Sequence, residues 1–280
     1  MKRLLWGILS VILLLCSGCA AGGGDEPCSP SPESVVVTAT PTMPTVLLTA
    51  PPAEEETADT EALPLPPLSG LVIGVDAGHQ KHANYELEPL GPNSSVQKAK
   101  VSPGTRGTLT KTPEYEVNLA VARLLQTLLE EAGATVIMTR TENDVNISNR
   151  ERAELFNRYE VDLAVRLHCN GADDPEIHGA FLLIPDKQCT RWYEENRRAA
   201  ECILHSYLER TKLEQRLDQG ISVRDDQTGF HWCERPIVCI EMGHLTHAEE
   251  ELLLVDALFQ KKMAQGIFEG IQTYFSDREP

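Results

Sequence analysis

Short apolar runs alternate with longer amphipathic segments over most of this chain, and that alternation is what most constrains its fold. The runs at 71–76, 135–139, 162–168, 179–184 and 237–241 have the length of buried strands, and helical patterns separate most of them. Parallel strands need crossover connections of a dozen or more residues, usually helices. The sequence therefore predicts an α/β fold, a single domain with a largely parallel twisted sheet flanked by helices on both faces.

Local signals place the helices of this domain. Pro113 in the first turn and Gly133 past the last apolar position bound one helix, and Ser148 with Glu151 forms a capping box that opens the next. Further helical patterns cover 190–213 and 248–275. The polar stretch 80–112 is rich in Pro and Gly and is predicted to be a long loop, of the kind that covers a cleft or forms a wall for substrate.

The N-terminus has the features of an export signal. Met1-Lys2-Arg3 precedes an apolar run from Leu4 to Leu15, which is too short for a lasting membrane span. The run ends in Leu15-Cys16-Ser17-Gly18-Cys19, which resembles the lipobox of bacterial lipoproteins. The small residues Ser17 and Gly18 favour Cys19 over Cys16 as the lipidated cysteine, so residues 1–19 are predicted to be a lipoprotein-type signal peptide. An uncleaved N-terminal anchor is the alternative.

The segment 20–69 is predicted to be a disordered linker, because it lacks aromatic residues, Lys and Arg and is rich in Pro, Thr and Glu. It would tether a domain at 70–277 to the membrane, facing the bacterial cell wall outside the cytoplasm. Of the net charge of −17, residues 1–70 carry −6 and the remainder −11. So acidic a domain argues against nucleic acid as a partner. The cysteines of this domain are predicted to be small buried side chains with at most one bridge.

Four ionisable residues end or follow these apolar runs. His79, His168 and Glu241 lie at predicted carboxyl ends of strands, and Glu114 opens the first long helix. Ligands bind at the carboxyl ends of strands in open α/β sheets, so these side chains are predicted to share one crevice. Two imidazoles and a carboxylate suit a zinc site with one position open to water, and a second carboxylate can act as the base. This combination predicts a metal-dependent hydrolase.

Each of these residues also has a structural interpretation. His79 fits a surface turn, and Glu114 fits the preference for carboxylates in the first turn of a helix. At 100° per residue, however, Glu114 lies on the apolar stripe of its helix and Glu116 does not, which favours Glu114 as a ligand. Glu241 ends a run too apolar for a free carboxylate, although a buried salt bridge would also explain it.

Arg166 shares a strand face with His168, because side chains on a strand repeat every second residue. It is predicted either to form an ion pair that supports the sheet or to hold a carbonyl or carboxylate of the substrate. The other histidines lack such placement, although His244 and His247 are near neighbours of Glu241.

Several segments carry a resemblance to a known family. They follow one another in order and with that family's spacing over about residues 70–275: Val75-Asp-Ala-Gly-His79, Pro113-Glu-Tyr-Glu-Val-Asn-Leu-Ala120, Met138-Thr-Arg140, Asn149-Arg-Glu-Arg-Ala153, Arg166-Leu-His-Cys-Asn170 and Ile240-Glu-Met-Gly243. Together they resemble the zinc-dependent N-acetylmuramoyl-L-alanine amidases of the amidase-3 type. That family usually has Gly-Phe and an Asn just past its catalytic glutamate, where this chain has Gly243, His244 and His247.

The resemblance implies a function and a set of roles. The family's three Zn²⁺ ligands fall on His79, Glu114 and His168, and its catalytic glutamate falls on Glu241. The family's glutamate ligand stands four positions before an Asn-Leu pair, which again selects Glu114. The implied reaction is hydrolysis of the amide between N-acetylmuramic acid and L-alanine in peptidoglycan. From its place beside His168, Arg166 is a candidate second donor to the oxyanion of that reaction.

Two other functions remain open at this point. A zinc exopeptidase acting on cell-wall peptides needs the same ligands and the same base. A non-catalytic lipoprotein that binds peptidoglycan would use the same cleft, but all four residues needed for catalysis are present. No feature of the sequence identifies a regulatory protein partner.

Overall fold

The computed structural model describes residues 65–276, so the predicted signal peptide 1–19 and most of the predicted linker 20–69 lie outside the described residues. The strands are β1 (Val72–Ala77), β2 (Asn84–Pro89), β3 (Gln97–Val101), β4 (Thr135–Met138), β5 (Leu163–Asn170), β6 (Phe181–Pro185), β7 (Ile221–Arg224) and β8 (Ile237–His244). The helices are α1 (Glu114–Glu131), α2 (Asn149–Arg158), α3 (Tyr193–Thr211), α4 (Thr228–Trp232), α5 (Ala248–Leu254) and α6 (Ala257–Ser276).

Six of the strands form one sheet in the order β4-β1-β5-β8-β6-β7. All neighbouring pairs are parallel except β6 and β8, which are antiparallel. The predicted α/β class with a largely parallel sheet is confirmed. Because β1, β5 and β8 are adjacent and parallel, their carboxyl ends meet at the middle of one sheet edge.

The two faces of the sheet carry separate hydrophobic clusters. Alternate side chains of a strand point to opposite faces, and in β5 Leu163 and Val165 join a large cluster with α1, α3 and α6. Ala164 lies on the opposite face, in a smaller cluster with Phe156 of α2 and Phe230 of α4. The predicted helical layers on both faces are confirmed. The second layer is built from two short helices, which leaves room for a cleft above the strand ends.

Local chemistry explains the helix ends that matter for the site. Helix α1 begins at Glu114 directly after Pro113 and ends before Gly133, whose φ of 91° is a conformation that glycine adopts readily. At α2, Ser148 Oγ accepts from the Glu151 amide at 3.1 Å, and Glu151 Oε2 accepts from the Ser148 amide at 2.7 Å. The predicted capping box is therefore confirmed.

The polar stretch 80–112 differs from its prediction as a long loop. It contains an antiparallel hairpin formed by β2 and β3. The prediction failed because Tyr85, Glu86 and Leu87 of β2 are all exposed, so the hairpin lacks the alternation that marks a half-buried strand. The short elements β7 and α4 were also not predicted, and the helical pattern at 248–275 is divided into α5 and α6.

Cys169, Cys189, Cys233 and Cys239 are free thiols, and Cys169, Cys233 and Cys239 are buried. Their predicted role as small buried side chains fits these three positions. Within residues 65–276, no helix combines the length and the apolar character that crossing a membrane requires.

Candidate metal centre

Three of the predicted residues meet at the carboxyl edge of the sheet. His79 follows β1, His168 lies near the end of β5, and Glu114 is the first residue of α1. One possible ligand atom from each residue lies within 4.8 Å of the others. Donors bound to zinc at about 2.0–2.1 Å in a tetrahedron lie about 3.3 Å apart. The observed distances from Glu114 Oε1, 3.2 Å to His79 Nε2 and 3.0 Å to His168 Nδ1, fit such a centre.

Backbone and side-chain donors hold the Glu114 carboxylate in place. Its Oε1 accepts from Asn118 Nδ2 at 3.2 Å and from the Cys169 amide at 3.1 Å, and its Oε2 accepts from the Thr105 amide at 2.8 Å. Burial alone raises the pKa of Glu114, but His79 and His168 hold that pKa well below its usual range. The side chain is therefore an ionised carboxylate, as a metal ligand must be.

The His79 ring is fixed by its own neighbours. Its Nδ1 lies 2.9 Å from the carbonyl oxygen of Ser102. A carbonyl oxygen only accepts, so Nδ1 donates a hydrogen bond to Ser102 and Nε2 is the ring nitrogen that faces Glu114. His79 has a φ of 58°, and Arg152 Nη2 donates to its carbonyl oxygen at 3.0 Å. Positive φ is uncommon outside glycine, so these contacts support a strained position for the ligand.

His168 is half-buried and packs against the turn that precedes His79. Burial lowers the pKa of His168 to about 4, which keeps the imidazole neutral at ordinary pH, the form that binds metals. A Cβ added at Gly78 would lie 2.2 Å from His168 Nε2. Only glycine at position 78 leaves room for the ring, which explains the Gly-His pair after β1.

Glu241 stands next to this group on β8, at the position paired with His168 of β5. Burial, and then the Glu114 carboxylate, raise the pKa of Glu241 to about 8. A general base works best when its pKa lies near the operating pH. Glu241 lines the same clefts as His79 and His168, so the structure brings together all four residues that the sequence placed in one crevice.

Arg166 faces the same space as His168, as the strand period predicted. Its Nε donates to Asp76 Oδ2 at 2.9 Å, and its terminal nitrogens donate to Gln227 Oε1 at 3.2 Å and Asn149 Oδ1 at 3.1 Å. The predicted ion pair is therefore present. Donation by Arg166 to an oxyanion stays a prediction.

Asp76 is the residue of the site that the sequence analysis missed. It is completely buried in β1, where its Oδ1 accepts from Arg152 Nη1 at 2.6 Å and from Thr139 Oγ1 at 2.6 Å. Burial alone raises the pKa of Asp76, but Arg152 and Arg166 hold it well below its usual range. A carboxylate within an apolar strand needs charged partners, and that signal in Val75-Asp-Ala could have identified this residue.

His244 and His247 lie outside the metal centre. His244 is buried, its amide donates to Glu250 Oε2 at 2.7 Å, and its Nε2 lies 3.2 Å from Asn170 Nδ2. His247 caps α5, where its Nδ1 accepts from the Glu250 amide at 3.3 Å. The contacts of both histidines therefore help to fix the conformation of the segment that follows Glu241.

Two half-buried imidazoles and a buried carboxylate, with a second carboxylate beside them at the ends of parallel strands, form the donor set typical of hydrolases that use a metal ion. The family model for N-acetylmuramoyl-L-alanine amidase (Amidase_3) matches residues 73–273. The chain belongs to the N-acetylmuramoyl-L-alanine amidase family.

Two curated relatives agree with this assignment. The germination-specific N-acetylmuramoyl-L-alanine amidase of Bacillus subtilis (strain 168) is 29% identical over 229 residues, which cover 76% of this chain and 83% of the relative. The probable cell wall amidase LytH of Staphylococcus aureus is 26% identical over 211 residues, covering 75% of this chain and 60% of the relative. The match thus spans less than two thirds of LytH.

Solved structures share the fold. The amidase Ami1 of Mycobacterium abscessus has a TM-score of 0.69 at 23% identity and covers 74% of this chain and 99% of its own. Ami1 of Mycobacterium smegmatis has a TM-score of 0.70 at 19% identity and covers 75% of this chain and 99% of its own. At these identities the likeness supports the α/β fold alone.

Proposed function

We propose that this chain is a zinc-dependent N-acetylmuramoyl-L-alanine amidase, which hydrolyses the amide between N-acetylmuramic acid and the L-alanine of the stem peptide in peptidoglycan. The observation that carries the proposal is the convergence of His79, Glu114 and His168 beside the half-buried Glu241. The family and the relatives, one of them named as a cell wall amidase, support the same substrate.

In this proposal His79, Glu114 and His168 hold Zn²⁺. A bound zinc ion supplies Lewis-acid chemistry, in that it polarises a carbonyl and makes water more acidic. The protein contributes a preformed donor set. Three hydrogen bonds orient Glu114, and the Ser102 carbonyl fixes the tautomer of His79.

Glu241 performs the proton transfers. Its carboxylate accepts a proton from the water that attacks the lactyl carbonyl, and it then donates that proton to the nitrogen of the departing L-alanine. Burial, and then the Glu114 carboxylate, raise its pKa to about 8, so the carboxyl group can hold the proton between the two steps. The amide bond is broken, and a muramoyl carboxylate and a peptide with a free amino group are released.

The exopeptidase remains the second candidate because it uses the same groups, and its products differ. Mass spectrometry of digested peptidoglycan should show intact stem peptides released from glycan. Metal analysis of the same enzyme preparation should find one bound zinc ion per chain. Release of single amino acids in place of intact stem peptides would instead identify a peptidase.

We further propose that the chain is anchored outside the cytoplasm by lipid at Cys19. The lipobox-like sequence motivates this proposal, and the cell wall relative supports an extracytoplasmic location. In a bacterial host, labelled fatty acid should be incorporated into the full-length chain and into a Cys16→Ser variant. Cys19→Ser should lose the label, whereas a Cys19→Ser chain that keeps the label would rule out this anchor site.

A further inference from the structure

Two clefts meet at the metal centre, and His79, His168 and Glu241 line both of them. The first, here called the hairpin cleft, has a volume of about 390 Å³. It lies between Lys98, Ala99 and Ser102 at the end of the hairpin and Asp226 to Gly229 around the start of α4. The second, here called the loop cleft, has a volume of about 560 Å³ and is lined by Asn170 to Asp173. A substrate cut at the metal centre would extend into both clefts.

The two clefts differ in charge. Lys98 and Arg166 line the hairpin cleft. No Lys or Arg lines the loop cleft, where Asp173 adds a negative charge to those of the metal centre. The carboxylate in the hairpin cleft besides Glu241 is Asp226. It accepts from Arg224 through both oxygens, at 2.9 and 2.7 Å, so its charge is already compensated.

Arg166 has positive charge and hydrogen-bond capacity to spare. Its partner Asp76 is shared with Arg152, so two guanidinium groups are balanced by one carboxylate. Three of its five N–H groups donate to Asp76, Gln227 and Asn149. The other two have no acceptor among the residues that the structure describes.

Lys98 is the second cation of the hairpin cleft, where its charge adds to that of Arg224 in lowering the pKa of Asp226. Within residues 65–276 its ammonium group has no ion pair, whereas Lys100 on the same strand pairs with Glu86 at 2.8 Å. The hairpin therefore presents one lysine held in an ion pair and one lysine in the cleft whose ammonium group can still form one with a ligand.

The two sides of the scissile amide also differ in charge, as the two clefts do. The glycan side carries hydroxyl and acetamido groups, whereas the stem peptide carries carboxylates. Arg166 and His168 are two residues apart on one strand face, which is about 7 Å. Two residues of extended peptide span a similar length, so a peptide leaving the metal centre would bring its second residue to Arg166.

We propose that the hairpin cleft binds the stem peptide, with Arg166 and Lys98 holding the free carboxylate of its second residue, and that the loop cleft takes the sugar. This inference rests on the proposed amidase function. Binding by two cations would make the enzyme select stem peptides whose second residue is a free acid over those in which it is amidated.

The test compares two synthetic N-acetylmuramoyl peptides that differ only in whether the second residue carries a carboxylate or a carboxamide. With the full chain loaded with zinc, kcat/KM should be about ten- to a hundredfold higher for the acid, the worth of hydrogen bonds to a charged group. Lys98→Gln should reduce this ratio severalfold. Lys100→Gln makes the same charge change on the same strand and should leave the ratio at its wild-type value.

The outcomes separate the possible failures. Equal rates on the two peptides would overturn the carboxylate site while leaving the amidase function intact, and cleavage of neither peptide would overturn the function. Arg166→Lys should lower the ratio of kcat/KM for the acid peptide to that for the amidated peptide if Arg166 holds the carboxylate. If it lowers both rates equally in a folded protein, Arg166 acts on the oxyanion instead, and the proposal then fails for this residue.

Discussion

Replacing Glu241 with glutamine is expected to reduce kcat on peptidoglycan by about 10²–10⁴-fold, the usual contribution of a general acid and base. Glutamine fills the same space but neither accepts the proton of the attacking water nor protonates the leaving amine. The bound zinc should remain at one ion per chain, because Glu241 is not among the three ligands. Turnover of a soluble muropeptide, with metal content measured on the same samples, checks this prediction.

Glu234→Gln is the matched control, since Glu234 is exposed and precedes the same strand. It should keep wild-type turnover and metal content. If Glu241→Gln keeps both full activity and full zinc, the proton transfers belong to another residue. A variant that loses zinc would assign Glu241 to the metal site.

Replacing Glu114 with glutamine is expected to weaken zinc binding by more than about 100-fold, because changes around metal ligands already cost 10- to 100-fold. The substitution removes the negative charge of the centre. It also places an amide NH₂ against one or two of the three N–H donors that now contact the carboxylate oxygens, depending on which oxygen it replaces. Activity should fall in parallel and return at high zinc concentration.

Glu116→Gln provides the control on the same helix, two residues away and exposed. It should bind zinc with the affinity of the wild type. Zinc titration by competition with a chelating dye measures both variants. Equal affinities for Glu114→Gln and wild type would remove Glu114 from the ligand set, and a large loss in Glu116→Gln would contradict the choice between the two glutamates.

Much of the fold was predictable because its core follows simple periods. Strand β5 alternates between two apolar layers, and α1 carries a continuous apolar stripe that ends at Gly133. The β2–β3 hairpin was missed for a physical reason. It has little apolar alternation and is stabilised by pairing with itself and by contacts such as Lys100 to Glu86, which no local pattern shows.

The site was predictable where a charged side chain ended an apolar run, as with His168 and Glu241. The sequence did not show what surrounds those residues. Asp76 joins Arg152 and Arg166 from elements far apart in the chain, so its partners depend on the sheet order. The hairpin cleft likewise exists only because α4 and the hairpin, both unpredicted, form its walls.

The most direct test of the central claim is the position of oxygen incorporated from ¹⁸O-labelled water during digestion of a muramoyl peptide. Attack of water on the lactyl carbonyl predicts one ¹⁸O atom in the muramic acid carboxylate and none in the released peptide. Label in the carboxylate of a released amino acid would show that a peptide bond is cut instead, and would contradict assignment of this chain's activity to the muramoyl amide.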